Sequence, residues 1–173
     1  LLDQSAKGMG SGELTRQPEV RASVESTIGR TYFALGLYDK ARPHFDSAYT
    51  IRVRGQGPRS IDAAISATEL GQLAKASADY VGAERRMREA LAVMRATLRP
   101  DDDQITSALS TLADIRYSRG KFAEADSLYR EALRLTRMRH GKSAIEVADR
   151  LGSLGSFLSY TGHPGDALPL LEA

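Results

Sequence analysis

From Pro18 onward, apolar side chains return every three or four residues, stop at a glycine or proline, and then resume. Val20, Val24, Ile28, Thr31 and Leu35 fall on one face of an amphipathic helix. Pro18 opens it, because the first helical turn has no use for the N–H that proline lacks. Glu19 suits the positive end of the helix dipole, and Gly36 ends the run. A second helix begins near Tyr38 and sets Ala41, Phe45, Ala48 and Ile51 on one face until Gly55, Gly57 and Pro58 stop it. The pattern predicts a third helix from an N-cap at Ser60 to about Ser77, and a fourth from Tyr80 to Leu98. A fifth runs from about Asp103 to Arg119, with Asp102 or Asp103 as its cap. A sixth spans Phe122 to Arg139 and is broken at Gly141. A seventh starts at Ser143 or Ala144 and ends near Gly162, and Pro164 opens an eighth. No stretch carries the period of a strand.

These helices are copies of one unit. Subtracting 42 from Phe122 gives Tyr80, and subtracting it again gives Tyr38. The same step joins Ala125 to Ala83 and Ala41, Tyr129 to Met87 and Phe45, and Ala132 to Ala90 and Ala48; adding it carries Ala125 to Ala167 and Tyr129 to Leu171. A fixed period of this length marks a tandem array in which no helix pair can bury its apolar face alone. Gly29, Gly71, Ala113 and Gly155 on the first helices, with Ala41, Ala83, Ala125 and Ala167 on the second, are the expected points of close approach. Ile28, Leu70, Leu112 and Leu154 fill the layer between neighbours. The expected division is a lead-in or capping helix over 1–17, then repeats over 18–57, 58–99, 100–141 and, cut short, 142–173. The lead-in is soft, since Gly8, Gly10 and Gly12 each weaken a helix.

The columns resemble the tetratricopeptide repeat. Repeat one carries Ile28-Gly29, Tyr32, Ala41, Phe45 and Ala48; repeat two Leu70-Gly71, Ala74, Ala83, Met87 and Ala90; repeat three Leu112-Ala113, Arg116, Ala125, Tyr129 and Ala132; repeat four Leu154-Gly155, Leu158, Ala167 and Leu171. Two departures point to a longer variety. The period exceeds the usual 34 residues, and Val53, Arg95 and Arg137 stand where that family's late proline is expected. Both resemble the 42-residue repeats of kinesin light chains and many bacterial proteins, although Thr27, Glu69, Thr111 and Ser153 replace that variety's asparagine ladder. The resemblance implies an all-α, right-handed superhelical solenoid of antiparallel helix pairs. A narrower likeness, over Leu1-Leu2-Asp3-Gln4-Ser5-Ala6, Gln17 to Ala22 and Ile28 to Ala41, is to the repeat region C-terminal to the kinase domain in bacterial Ser/Thr protein kinases; it implies a non-catalytic regulatory or docking arm.

Composition narrows the chemistry. There is no cysteine among the 173 residues, so disulfides, thiolate nucleophiles and cysteine zinc sites are out. No apolar run is long enough to span a membrane. The start lacks the basic and apolar regions of a signal peptide, and it also lacks Met. The chain therefore reads as a segment of something longer, and the compartment stays open with a cytoplasmic one favoured. Net charge is +2 with a pI near 9.0, too balanced to argue for nucleic acid. Arg85, Arg86 and Arg88 are flanked by Glu84 and Glu89 and read as a solvated face. Arg52, Arg54, Arg95, Arg99, Arg137, Arg139 and Lys142 sit near helix C-termini, where cations suit the dipole. Asp101, Asp102 and Asp103 read as an N-terminal cap cluster rather than a cation site. His44, His140 and His163 are scattered, and no nucleophile–base pair can be placed, so neither catalysis nor a cofactor or metal is expected.

Function is then expected from shape. In the resembled family the first helices line the concave side of the superhelix and ligand peptides lie against them. The matching columns are Arg30, Gln72, Asp114 and Ser156, and one turn later Phe33, Lys75, Tyr117 and Ser159. Arg30 and Lys75 suit a peptide carboxylate, and Phe33 and Tyr117 offer aromatic anchors. The expectation is a protein or peptide partner held by Arg30, Phe33, Gln72, Lys75, Asp114, Tyr117 and Ser156. The alternatives are that these positions are only the solvated side of amphipathic helices, that the module self-associates through its ends, or that the arginines bind nucleic acid.

Overall fold

The computed structural model describes residues 17–142 and 144–166. Among them it contains seven α-helices, one short 3-10 turn and no strand. The helices are α1 (Pro18–Ala34), α2 (Tyr38–Gln56), α3 (Ile61–Ala76), α4 (Tyr80–Thr97), α5 (Asp103–Ser118), α6 (Phe122–His140) and α7 (Ile145–Tyr160); the 3-10 turn is Pro164–Asp166. Where the eighth helix is expected to open, the described residues form that turn, and the rest of the expected helix, with Ala167 and Leu171, lies outside the described residues. So do Ser143 and all but Gln17 of the expected lead-in helix.

Local chemistry sets these boundaries. The Ser60 hydroxyl accepts from the Ala63 N–H at 3.2 Å, and Asp102, not Asp103, caps α5 by accepting from the Gln104 N–H at 3.0 Å. Asp79 does the same for α4 through the Gly82 N–H at 2.9 Å. The turns inside the pairs need one residue with positive φ. Gly36, Gly120 and Gly162 supply it at +72°, +72° and +84°, but the second turn uses Ala78, at +60°.

The chain divides into two compact units, Leu1–Val93 and Met94–Ala173. In the first, α1 and α2 run antiparallel. Phe33 meets Tyr38 beside the turn, while Glu25, further back, meets His44 and Ser47. Its core is Ile28, Tyr32, Ala41, Phe45, Leu70 and Leu73, with Val24, Phe33 and Tyr49 packed against it. The expected close approaches occur here. A Cβ placed on Gly29 would stand 2.6 Å from the Phe45 ring, and one on Gly71 would stand 3.0 Å from the Met87 methyl.

In the second unit the register of α5 against α6 is written in polar pairs. Arg116 reaches Glu124 near the turn at 3.2 Å, Tyr129 donates to Asp114 at 2.5 Å midway, and Asp103 takes Arg139 at 3.2 Å and His140 at 2.6 Å at the far end. Helix α7 closes a core of Ala113, Ala125, Tyr129, Leu133, Val147, Leu154, Phe157 and Leu158. Arg116 occupies the column that elsewhere holds Tyr32, Ala74 and Leu158, and all four are buried. A guanidinium in a core position is tolerated only when it is paired, and Glu124 serves that need. At Gly155 a Cβ would meet nothing within 4 Å, so the expected close approach is absent there among the described residues.

Candidate functional site

The first-helix columns carry the candidate site, and each unit holds its own part. In the first unit Arg30 and Phe33 come from α1, and Gln72 and Lys75 from α3. Arg30 is the exposed member, with 62% of its side chain open to solvent. Its guanidinium lies 3.6 Å from Glu69 of α3, which places the two helix faces side by side, and Gln72 follows Glu69 by three residues on the same face. Phe33 is half-buried. Its ring is tilted against Tyr38 at 5.4 Å and Phe45 at 6.5 Å, so part of it serves the core. Gln72 and Lys75 are half-buried as well.

In the second unit Asp114 is half-buried and accepts the Tyr129 hydroxyl. Burial, together with that pairing, holds the phenol well above its ordinary pKa, so Tyr129 stays a donor. Tyr117 is half-buried between Phe122 and Phe157, each 5.8 Å away. Ser156 is exposed. The two expected aromatic anchors therefore give much of their surface to intramolecular packing, which their place on the polar side of each helix did not reveal.

Several arginines are matched by specific carboxylates rather than by the dipole alone. Arg88 pairs with Glu84 at 2.5 Å, Arg95 with Glu131 at 2.9 Å, Arg99 with Asp101 at 3.2 Å, and Arg139 with Asp103. The three-aspartate run thus divides its work: Asp102 caps, and its neighbours hold cations. Among the described residues no cluster of histidine and carboxylate has the makings of a metal site, and no helix is long and apolar enough to cross a membrane. His44 is not a helix-end residue. Its Nδ1 lies 2.7 Å from the buried Glu25, and its ring stacks on Tyr32 at 5.6 Å.

A second polar cluster, not singled out from the sequence, surrounds Glu69. This carboxylate is 6% exposed, accepts the Ser26 hydroxyl at 2.9 Å, and has Arg30 on its solvent side. Arg52 of α2 donates to Ser26 at 3.3 Å and Ser66 at 2.6 Å, adding a second positive charge. Burial pushes the Glu69 carboxyl above its ordinary value, against the opposing pull of Ser26, Arg30 and Arg52. One signal was visible in the sequence: Glu69 is the one charged residue in the column Thr27, Glu69, Thr111, Ser153.

Comparison with known proteins bears on the family and the fold. The family model for the tetratricopeptide repeat matches residues 20–96 and 104–173. A TPR repeat-containing protein of Dictyostelium discoideum is 27% identical over 144 residues, which is 78% of this chain but 8% of that protein's length. Among solved structures, a putative kinesin light chain of Podosopora anserina with nearly identical TPR-like repeats superposes with a TM-score of 0.79 at 18% identity, covering 90% of this chain and 73% of that one. BtubC (BKLC) from P. vanneervenii gives 0.77 at 19% identity, over 90% of this chain and 62% of that one. At such identities the structural likeness speaks for the fold alone. With its helix pairs, its 42-residue spacing and a family match over most of its length, the chain belongs to the tetratricopeptide repeat family.

Proposed function

We propose that this chain is a non-catalytic scaffold that binds a protein or peptide against the faces of its first helices. In the first unit the binding residues are Arg30, Phe33, Gln72 and Lys75; in the second they are Asp114, Tyr117 and Ser156. The observation that carries the reading is Arg30, a long cation left mostly in solvent beside half-buried polar and aromatic neighbours. Such a group, flanked by an apolar ring edge, suits a partner that brings a carboxylate and a side chain to rest on Phe33. Tetratricopeptide repeats are in general protein-interaction scaffolds, which supports the class of function.

The test is a charge reversal, Arg30→Glu with Lys75→Glu, read by fluorescence anisotropy against a panel of labelled acidic nonapeptides. Loss of binding supports the assignment; a double variant that binds as tightly as wild type refutes it. The parent is proposed to be a bacterial Ser/Thr kinase for which this segment is a docking arm, and the sequence preceding Leu1 tests that directly. Self-association is the second reading, favoured by Met138, Ile145 and Tyr160, each more than 60% exposed in the second unit. Sedimentation across a concentration series separates the two, since a strict monomer removes the second.

A further inference from the structure

Arg30 and Glu69 are joined in an unequal pair. The cation is mostly in water, and its Nη2 makes a long contact to the Thr27 hydroxyl at 3.4 Å. The anion is nearly out of water and is fixed from beneath by Ser26. The groups facing that carboxylate are Arg30 and Ser26 from α1 and Arg52 from α2, the last held by Ser26 and, on the carboxylate's own helix, by Ser66. Glu25 precedes Ser26 but is occupied by His44 and Ser47. Arg30 is thus the guanidinium at ion-pair distance from the buried carboxylate, while Arg52, bonded to Ser26 and Ser66, adds positive charge nearby.

We propose that Glu69 is the resident counter-ion of Arg30, and that an acidic peptide binds this face by taking Arg30 over from Glu69, most readily when Glu69 is neutral. The inference rests on the scaffold reading above and adds the residue that sets its ligand class and its response to acid. While Glu69 is ionised, a second carboxylate on Arg30 meets repulsion from the first, little screened because Glu69 is buried. Once Glu69 takes a proton, the repulsion ends and the neutral carboxyl keeps its bond to Ser26. Its displacement above the ordinary carboxylate range by burial brings that change closer to neutrality than the ligand's own carboxylates, which stay ionised above about pH 5.

The experiment measures the affinity of the same acidic nonapeptides, with free C-terminal carboxylates, for the whole chain at pH 7.5 and 5.5. The proteins are wild type, Arg30→Ala, Glu69→Gln and Glu69→Thr; the last restores the residue found at Thr27 and Thr111. Both Glu69 variants should bind about tenfold more tightly than wild type at pH 7.5, within the range a single coupled charge supplies. Wild type should tighten toward pH 5.5, and the Glu69 variants, which keep all three histidines, should not. If Arg30→Ala loses binding but the Glu69 variants match wild type at both pH values, the counter-ion role is wrong and the scaffold reading stands. If no peptide binds any of the proteins, or Arg30→Ala binds as well as wild type, both are wrong.

Discussion

The close-approach column allows a sharp test, because one substitution in it meets two different neighbours. At Gly29 a new methyl group would lie 2.6 and 2.7 Å from the edge of the Phe45 ring, well inside contact distance. That ring is 2% exposed and bordered by Phe33, so it has little room to retreat. At Gly71 the nearest atom is the terminal methyl of Met87, at 3.0 Å, on a side chain that can rotate away. Either change to alanine gains about 1 kcal/mol of helix propensity. Overpacking a rigid core site costs about 1–3 kcal/mol. Gly29→Ala should therefore destabilise by about 1 kcal/mol net, and Gly71→Ala should be neutral or stabilise by up to about 1 kcal/mol. Repeat three already pairs Ala113 with Tyr129, whose hydroxyl is anchored to Asp114. Phe45 has no hydroxyl to anchor it. The assay is urea unfolding followed by far-UV circular dichroism, with the midpoint read at unchanged slope. Adding Phe45→Met to Gly29→Ala should recover most of the loss, giving a coupling energy of about 1 kcal/mol. If Gly29→Ala is as stable as Gly71→Ala, or the double variant shows no coupling, steric contact is not what keeps glycine in this column.

Three further outcomes are expected. Ala78→Gly should stabilise by about 0.5–1 kcal/mol, since it relieves a left-handed residue in a turn where the sibling repeats use glycine, and Gly120→Ala should cost about 1 kcal/mol; thermal melts of the two variants must move in opposite directions. Tyr129→Phe should cost about 1 kcal/mol, because half-buried Asp114 loses its phenol donor; denaturant titration checks it, and an unchanged midpoint would set the pair aside. The folded value of Glu69 lies above its ordinary 4.5, so the native state holds the proton more tightly than the unfolded chain. Its contribution is then fully present below about pH 4.5 and lost as pH rises through the folded value. Wild type should accordingly gain stability relative to Glu69→Gln as pH falls from 7 toward 4.5, and a flat or opposite difference would refute this.

The sequence alone carried the helices, their order and their repetition, because each depends on neighbours a few residues away. Pro18 and the caps Ser60 and Asp102 act within one turn, and Gly36, Gly120 and Gly141 end or redirect the chain where they stand. A period of 42 multiplies that local signal, so that Phe45, Met87 and Tyr129 fall in one column, and all three are buried. How polar side chains pair across helices was settled by packing instead. Ser26 and Glu69 are 43 positions apart and meet at 2.9 Å; Glu25 and His44 meet across the first turn. Phe33 and Tyr117 lie on faces that helical periodicity marks as polar, yet their rings lean into the aromatic clusters of their own units. Periodicity reports which side of a helix is apolar, whereas long side chains choose partners by reach and by the cost of leaving a buried charge alone. That choice exists only once neighbouring helices are packed.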